Sequence, residues 1–590
     1  MCGICGQISF NGHPSDVASV FEMTEALKKR GPDALGLHVH GGNAIGHRRL
    51  KIIDLSERAH QPMVDNALGL SIVFNGAIYN YPELRKELED KGYCFFSQGD
   101  TEVIIKAYHA WGEDCVRRFN GMFAFAIVHR DSGKAFIARD RLGIKPLYYN
   151  QTGSAFRFAS SLPALLVYDD IDTAIDPVAL HHYMTFHSVV PAPHTILESV
   201  KKLEPGTTLT VDPDGGVHEK EYWTLDFTPK ADEREYGLEE WAELLLVYLR
   251  KAIKRRLTAD VPVGVLLSGG LDSSLVVGLL AELGQWNINT FSIGFKDVND
   301  EAGNEFFYSD IIARHYGTDH HKIEAQDGQV LPALDSCIRS MSEPMVSHDC
   351  IGFYLLSQAV SRHVKVVQSG QGADEIFGGY HWYPPMMKSR DGVFDYVGHF
   401  FDRPHTEYAA AVDERFVGED HSLDFVRRHF SRPGAQSTID RALRIDTTVM
   451  LTDDPVKRVD NMTMAWGLEA RVPFLDHELV EFAARIPAEL KVNHGGKYVL
   501  KEAARTVIPA DVIDRPKGYF PVPALKYLDG DYLDFVSDTL HGTKSRQRKI
   551  FNPDYVDHLF RDPDAHITPL SGSKLWQIVV LEHWLSVQGL

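Results

Sequence analysis

The chain has 590 residues, of which 44% are hydrophobic and 24% charged, and its net charge is −20. Since one hydrophobic core rarely serves so long a chain, two or more domains are expected. So acidic a surface repels nucleic acid and anionic membranes, which excludes both as partners. Any phosphate site must therefore be local and built largely from backbone N–H groups.

Cysteine usage and the apolar runs indicate where the protein works. The six cysteines are sparse and do not form a disulfide framework, which indicates a reducing compartment. No stretch reaches about 18 consecutive apolar residues, so no membrane span is predicted. The N-terminal segment lacks the basic start and the apolar run of a secretion signal. We expect a cytoplasmic enzyme.

The chain begins MCGICGQISF, which places Cys2 directly behind the initiator methionine. Three interpretations are open for this cysteine. The C-x-x-C spacing is typical of redox or zinc sites, although no second Cys/His pair matches it. A small thiol also fits a buried first strand. If methionine is removed, Cys2 carries the α-amine, whose pKa near about 8 lets it act as a base toward the adjacent thiol.

The following segments predict strands and a helix. Residues 47–54, HRRLKIID, have the alternating apolar positions of a strand. FNGAIYN, at 74–80, fits either a hairpin turn or an oxyanion hole made by the Asn75 side chain and the Gly76 N–H. QGDTEVI places Asp100 at the start of an amphipathic helix, as an N-cap or as a substrate ligand. NGMFAFAIVHRD and KAFIARDRLGIKPLYY then predict two antiparallel strands and a turn.

These motifs together resemble the glutaminase domain of class II glutamine amidotransferases, an N-terminal-nucleophile fold built as an αββα sandwich. The resemblance covers residues 2 to about 200 and rests on CG, RGPD, RRLKIID, NGAIYN, GDTEV, GMFAFA and ARDRLGIKPLYY. It implies that Cys2 attacks the side-chain amide of glutamine while Asn75 and Gly76 stabilise the oxyanion. Arg49 would pair with the carboxylate of glutamine, and Asp100 would hold its α-ammonium.

One position departs from that family's pattern. Many members read NGEIYN, whereas this chain has Ala77 at the acidic position. One partner for the ammonium of glutamine is therefore absent. We expect weaker glutamine binding and intact chemistry, in which ammonia leaves and water frees the glutamyl-thioester as glutamate.

The second half has the pattern of a parallel α/β sheet. Residues 224–236 are polar and make the best linker, and a helix is predicted at 238–257. VPVGVLLSGGLDSSLVVGLLAEL then reads as an apolar strand, a glycine turn and an apolar helix. NINTFSIGF and VKVVQSG add further strands of the same kind. We expect two domains, residues 1–223 and 237–590.

The turn SGGLDSS fits either a plain strand–helix connection or a phosphate loop. Glycines let the backbone approach a phosphate, and the helix N-terminus supplies N–H donors. The string resembles the pyrophosphate loop (PP-loop) of ATP pyrophosphatases, which split ATP into AMP and pyrophosphate. That resemblance implies that Asp272 reaches Mg²⁺. It also implies that five residues hold pyrophosphate: Ser268, Gly269, Gly270, Ser273 and Ser274.

A second glycine loop, SGQGADEIFGGY at 369–380, follows another apolar strand. We expect it at the same carboxyl edge of the sheet, where ligands bind in open α/β folds. Its adjacent carboxylates, Asp374 and Glu375, are either solvated or serve as ligands for Mg²⁺ or for a cationic group of the acceptor substrate.

DDPVKRVDNMTMAWGLEARVPFLDHELVEFA and RPKGYFPVPA extend the resemblance over the whole chain, which is similar to the asparagine synthetase family. That family implies ATP and Mg²⁺, adenylation of an acceptor carboxylate, and ammonia passing from Cys2 through an apolar tunnel. Lys517 would stabilise charge on the phosphate and the adenylate. The adenosine pocket would be lined by Leu266, Ile293, Gly294, Ser369 and Gly370. Because relatives often form dimers, a homodimer is compatible with the resemblance.

Gln371 bears on the acceptor, because many asparagine synthetases carry an acidic residue in that loop. A neutral residue suits an acceptor without a free α-amine. We therefore expect Gln371 to lie at the catalytic site and to favour such an acceptor. Asn461 and Trp466 stand where many relatives have arginine and histidine. SGQGADEIFGGYHWYPP is similar to the branch assigned to N-acetylglutaminylglutamine amide formation. This acylated dipeptide is therefore favoured over aspartate.

Two other classes of function compete with this interpretation. One is a glutamine-independent enzyme similar to β-lactam synthetases, which the intact Cys2, Asn75 and Asp100 argue against. The other is a non-catalytic binding or regulatory protein, which SGGLDSS and Lys517 argue against.

Overall fold

The computed structural model describes residues 2–295, 303–515, 525 and 528–590. Within these ranges the chain forms two antiparallel sheets, one parallel sheet and surrounding helices. None of the helices in these ranges combines the length and apolar character needed to cross a membrane.

Twelve strands build the N-terminal part. They are β1 (Gly3–Ser9), β2 (Ala34–His40), β3 (Asn43–Arg49), β4 (Met63–Asp65), β5 (Leu70–Ile78), β6 (Gly121–His129), β7 (Ala135–Arg139), β8 (Tyr148–Gln151), β9 (Ala155–Ala159), β10 (Lys201–Lys202), β11 (Thr207–Val211) and β12 (Val217–Glu221). One sheet has the order β10-β8-β9-β1-β3-β2, and the other has the order β12-β11-β7-β6-β5-β4. The predicted pair β6 and β7 is antiparallel, as expected.

Helices cover the outer faces of the two sheets. Five lie in this part: α1 (Val17–Ala26), α2 (Tyr81–Asp90), α3 (Asp100–Trp111), α4 (Leu162–Leu165) and α5 (Pro177–Thr185). Helix α1 packs against β1 and β3, and α3 packs against β5. The order of layers is therefore helix, sheet, sheet, helix, which confirms the predicted αββα sandwich.

Strand alternation decides what each residue of β1 contacts. Ile4 and Ile8 join the apolar core between the two sheets. Cys5 points the other way, toward α1, and its Sγ lies 3.2 Å from the Thr24 hydroxyl. Cys2 lines a separate cavity. The two thiols do not converge, so the redox or zinc interpretation of C-x-x-C is wrong.

Two local predictions differ from the structure. Strand β3 ends at Arg49, because Leu50 and Ile52 leave the sheet and pack on Val366 of the C-terminal part. Their alternation reflects this contact and not a longer strand. The hairpin at Asn75–Gly76 is also wrong, because both residues lie inside β5.

The C-terminal part is centred on a five-stranded sheet in which every neighbouring pair is parallel. Its strands are β13 (Val263–Leu266), β14 (Asn289–Gly294), β15 (Asp319–Glu324), β16 (Val366–Gln368) and β17 (Glu469–Arg471), in the order β15-β14-β13-β16-β17. The strand order reverses between β13 and β16. Ligands bind at such a reversal in open α/β sheets, and both glycine loops begin there.

Helices surround this sheet and extend to the C-terminus. They are α6 (Leu238–Arg255), α7 (Leu271–Glu282), α8 (Phe306–Tyr316), α9 (Asp327–Arg339), α10 (Asp349–Val360), α11 (Ala373–Phe377), α12 (Tyr383–Met386), α13 (Gly392–Phe400), α14 (His405–Ala411), α15 (His421–Ser431), α16 (Thr438–Ile445), α17 (Lys457–Met464), α18 (His477–Arg485), α19 (Ala488–Val492), α20 (Tyr498–Ala504), α21 (Ala510–Ile513), α22 (Gly530–Leu540), α23 (Thr543–Arg548), α24 (Pro553–Arg561) and α25 (Lys574–Val587).

A buried ion cluster joins the two parts of the chain. Arg30, in the RGPD segment, donates to both carboxylate oxygens of Asp460 at 2.8 and 3.3 Å. Lys145 lies 3.6 Å from the same carboxylate. The side chains of Arg30 and Asp460 are only 8% and 3% exposed. Burial alone would raise the pKa of Asp460, but these two cations lower it, so the carboxylate stays charged.

We expect Asp460→Asn to destabilise the protein by about 3–5 kcal/mol, because it leaves two buried cations without their partner. The free energy of unfolding in urea measures this change. Glu87→Gln is the matched control, since it breaks the exposed bidentate pair with Arg118 and should cost less than about 1 kcal/mol. Equal losses in the two variants would contradict the expectation.

Candidate active sites

A small cavity surrounds Cys2 in the N-terminal part. Cys2 is 8% exposed and shares the lining with Arg49, Phe74, Gly76 and Asp100. Burial raises the pKa of the Cys2 thiol, so the neutral form dominates until a base takes its proton. The cavity therefore needs a base close to this thiol if Cys2 is to act as a nucleophile.

Asn75 is held against Cys2 by its side-chain oxygen. The backbone N–H of Cys2 donates to Asn75 Oδ1 at 3.0 Å. The amide Nδ2 of Asn75 is buried and has no hydrogen-bond partner among the described residues. A buried N–H donor without an acceptor costs free energy unless a ligand accepts its hydrogen bond, and an oxyanion would do so.

Gly76 allows the backbone to pass the cavity closely. A Cβ at this position would lie 2.1 Å from the Met122 carbonyl oxygen on β6. Any side chain would therefore push β5 away from β6 and displace Asn75. Ala77, the position that departs from the family pattern, is 1% exposed and belongs to an apolar cluster.

Arg49 and Asp100 are the two charged side chains that the sequence assigned to this cavity. The Arg49 guanidinium donates to the carbonyls of Ser56, at 3.0 Å, and Asp54, which fixes its orientation. Asp100 is the first residue of α3, but its carboxylate accepts from the Ile78 N–H at 3.0 Å instead of capping its own helix. Burial raises the pKa of Asp100 to about 6.

Two further residues of this cavity come from the C-terminal part. Glu469 and Arg471, on β17, line it, and Arg471 Nε donates to Glu469 at 2.6 Å. Burial would raise the pKa of Glu469, but neighbouring cations including Arg471 and Lys145 hold it at about 2. Sequence reasoning missed both residues. The available signal was a pair of opposite charges in the apolar run GLEARVPF.

The loop after β13 is tightly folded. Ser268 Oγ lies 3.0 Å from Ser273 Oγ, and the Gly270 N–H donates to Ser268 Oγ at 3.3 Å. Gly269 has φ +76°, and a Cβ there would lie 2.5 Å from the Ser309 nitrogen. Ser274 is buried, and its Oγ has no partner among the described residues. The loop thus presents backbone and hydroxyl groups at the start of α7.

Lys497 joins the two glycine loops. Its Nζ lies 2.7 Å from Asp272, in the first loop, and 2.9 Å from Asp374, in the second. Burial lowers the pKa of Lys497, but the two carboxylates outweigh it and raise the pKa above its ordinary value. Sequence reasoning missed this lysine. Its only signal was the preceding Gly495–Gly496 pair, since a lone lysine is usually a surface residue.

A second cavity, the large cavity, opens above these loops and has a volume of about 370 Å³. Ten of the residues assigned from the sequence line it: Leu266, Ser268, Gly270, Asp272, Ser273, Ile293, Ser369, Gly370, Gln371 and Asp374. Residues that the sequence did not assign also line it, among them Asp349, Phe353, Lys497 and Arg515.

Other assigned residues lie outside that lining. Gly269, in the loop after β13, Ser274, on α7, and Gly294, at the end of β14, do not line the cavity. Glu375 is buried and accepts from the Tyr380 hydroxyl at 2.6 Å, and burial raises its pKa to about 7. Lys517 lies outside the described residues.

Comparison with known families covers nearly the whole chain. Residues 1–223 match the glutamine amidotransferase domain family, and residues 245–586 match the asparagine synthase family. Asparagine synthetase [glutamine-hydrolyzing] 1 of Bacillus subtilis is 31% identical over 100% of this chain and 97% of its own length. A putative asparagine synthetase [glutamine-hydrolyzing] 2 of Methanocaldococcus jannaschii is 37% identical over 64% of this chain and 76% of its own length.

Among solved structures, the glutamine phosphoribosylpyrophosphate amidotransferase of B. subtilis aligns with 54% of this chain and 65% of its own, at 16% identity and a TM-score of 0.29. The two family matches and the full-length relative carry the assignment. The chain therefore belongs to the glutamine-hydrolysing asparagine synthetase family and is an ATP-dependent ligase that takes its nitrogen from glutamine.

Proposed function

We propose that this enzyme amidates the carboxylate of N-acetylglutaminylglutamine, using ammonia from glutamine and energy from ATP. The observation that carries the choice of acceptor is Gln371, a neutral residue in the lining of the large cavity. An acceptor whose amine is blocked needs no protein carboxylate at this position, and an added negative charge would repel the acceptor's own carboxylate. The reaction gives the amide, AMP, pyrophosphate and glutamate.

Glutamine hydrolysis is assigned to the cavity around Cys2. Removal of Met1 would turn the Cys2 nitrogen, now held 3.0 Å from Asn75 Oδ1, into an α-amine close enough to take the thiol proton. The thiolate would attack the glutamine amide carbon, and the unused Asn75 Nδ2 would bind the oxyanion. Arg49 and Asp100 would hold the carboxylate and the ammonium of glutamine.

Acceptor activation is assigned to the large cavity. The Ser268 loop suits pyrophosphate because Ser268 and Ser273 line the cavity and the start of α7 offers N–H donors to an anion. Asp272 and Asp374 are oxygen donors of the kind that Mg²⁺ prefers, and Lys497 already holds them close together. When bound, Mg²⁺ neutralises phosphate charge. The acceptor oxygen attacks the α-phosphorus, pyrophosphate leaves, and ammonia then displaces AMP.

We assign residues 1–223 to the glutaminase unit and residues 237–590 to the amidating unit. The segment between β12 and α6 supports this boundary, because only a short helical turn at Asp232–Glu235 interrupts it. All six cysteines are free, which suits a cytoplasmic enzyme.

Aspartate is the second candidate acceptor, and one observation favours it. The Asp349 carboxylate lines the same cavity and could pair with the α-ammonium of aspartate. Burial raises the pKa of Asp349 to about 6, however, which weakens that pairing near neutral pH relative to an ordinary carboxylate.

The acceptor is tested by pyrophosphate release with ATP, Mg²⁺, glutamine and one of three acceptors: aspartate, glutaminylglutamine or its N-acetyl form. We expect release and amide formation with the acetylated dipeptide. Gln371→Glu should slow that reaction about tenfold through charge repulsion. Gln285→Glu, on the exposed surface, adds the same charge and should change nothing. Release driven by aspartate alone would replace this acceptor with aspartate.

Cys2→Ala should abolish glutamine-driven amide formation and keep the reaction driven by ammonium salts, because only the nitrogen source depends on the thiol. Amide product measured by mass spectrometry separates the two reactions. Cys94→Ala, at an exposed cysteine, is the control and should retain both. Full glutamine-dependent activity in Cys2→Ala would show that Cys2 is not the nucleophile that releases ammonia from glutamine.

Glutamine binding should weaken as pH falls through about 6, because protonation of Asp100 removes the partner of the glutamine ammonium. We expect the KM for glutamine, measured by glutamate release, to be about tenfold higher at pH 5 than at pH 8. Asp100→Asn should show a high KM that does not change over this range. The same pH dependence in Asp100→Asn would assign it to another group.

A further inference from the structure

Three side chains that could bind a metal ion lie together outside the linings of both cavities described above. They are His181 on α5, His405 on α14 and Asp420, which precedes α15. One ligand atom from each lies within 4.8 Å of the other two. Helix α5 belongs to the N-terminal part and the other two helices belong to the C-terminal part, so the cluster joins the two parts.

The spacing of the ligand atoms suits a tetrahedral ion. His181 Nε2 lies 3.0 Å from His405 Nδ1 and 3.8 Å from Asp420 Oδ1. Zinc ligands at about 2.0–2.1 Å in tetrahedral geometry stand about 3.3 Å from one another. The two observed distances fall on either side of that value, so small side-chain movements would complete the geometry.

A second layer of hydrogen bonds orients the buried histidine. His181 Nδ1 lies 2.9 Å from the Ser422 hydroxyl, which lies 3.1 Å from His182 Nδ1. When Ser422 accepts from His181 and donates to His182, the proton of His181 lies on Nδ1. The lone pair of Nε2 then faces His405 and Asp420, as in metal sites whose histidines are fixed by their other nitrogen.

The carboxylate of this cluster is open to solvent and held in a fixed position. Asp420 is 29% exposed, which leaves a route from solvent. Its Oδ1 also accepts from the Leu423 N–H at 3.1 Å, which holds the carboxylate in place.

We propose that His181, His405 and Asp420 bind one Zn²⁺ ion, which fastens α5 to the C-terminal part. The fourth ligand is water or His421, whose ring centroid lies 5.7 Å from that of His181. Two imidazoles with one carboxylate favour zinc and similar transition metals, whereas Mg²⁺ prefers oxygen ligands alone. This site is separate from the Mg²⁺ that accompanies ATP and has no part in the amidation chemistry.

The test uses untagged full-length protein stripped with EDTA, because a polyhistidine tag would bind the same ions. Calorimetric titration with ZnCl₂ should show one ion per chain with a Kd below about 1 μM. Co²⁺ should give the visible absorption of a tetrahedral site. Zn²⁺ should also raise the melting temperature, since it binds only the folded state.

The variants use the two partly exposed ligands, since His181 is buried and its loss could prevent folding. His405→Ala and Asp420→Asn should each weaken Zn²⁺ binding at least tenfold and remove the cobalt spectrum. His218→Ala is the matched control, because exposed His218 lies 3.2 Å from Asp212 and belongs to no group of three ligands within the described part of the chain. Binding weaker than about 10 μM, or binding that both ligand variants retain, would overturn the proposal.

Discussion

The structure depends most on the guanidinium of Arg30, which binds both the backbone of Cys2 and the C-terminal part of the chain. Its Nε donates to the Cys2 carbonyl at 3.2 Å, and its other nitrogens bind Asp460. A buried charge needs its partner and hydrogen bonds to be tolerated. The backbone position of Cys2 is thereby coupled to α17 of the C-terminal part.

The same dependence appears at the other end of the Cys2 cavity. Glu469 and Arg471 reach it from the last strand of the parallel sheet. Arg471 also donates to the carbonyls of Arg256 and Thr258 at 2.8 Å, so its position follows from the packing of α6. One wall of the Cys2 cavity therefore belongs to the C-terminal part. Under the proposed function, this shared wall gives the two reactions a physical means of responding to each other.

In the large cavity, the topology of the sheet brings two carboxylates together. Strands β13 and β16 are neighbours, and the loops that follow them carry Asp272 and Asp374. Lys497 keeps Asp272 and Asp374 from repelling each other in a partly buried setting. The neutral Gln371 in the same cavity adds no charge that would repel the carboxylate of an acceptor without a free amine. This is the basis of the proposed specificity.

Much of the fold and of each candidate site could be predicted from the sequence, because local patterns carry that information. Strand alternation, glycine loops after apolar strands, and the motifs around Cys2, Asn75 and Asp100 identified both the layers and the family. The helix predicted at 238–257 is observed at Leu238–Arg255. Two patterns misled. The alternation in HRRLKIID reflects a contact with the C-terminal part of the chain, and the Asn-Gly pair lies in a strand beside the Cys2 cavity instead of in a turn.

The sequence by itself determined the two kinds of sheet and the family, and it predicted the nucleophile and the phosphate loops, since each depends on residues that are adjacent in the chain. Only the tertiary structure decided that Lys497 bridges Asp272 and Asp374, that Glu469 lines the Cys2 cavity, and that His181 meets His405. These partners are separated by more than a hundred residues, and no local periodicity records such a pairing. A charged residue indicates a partner only when the folded structure buries it, because an unpaired buried charge costs free energy.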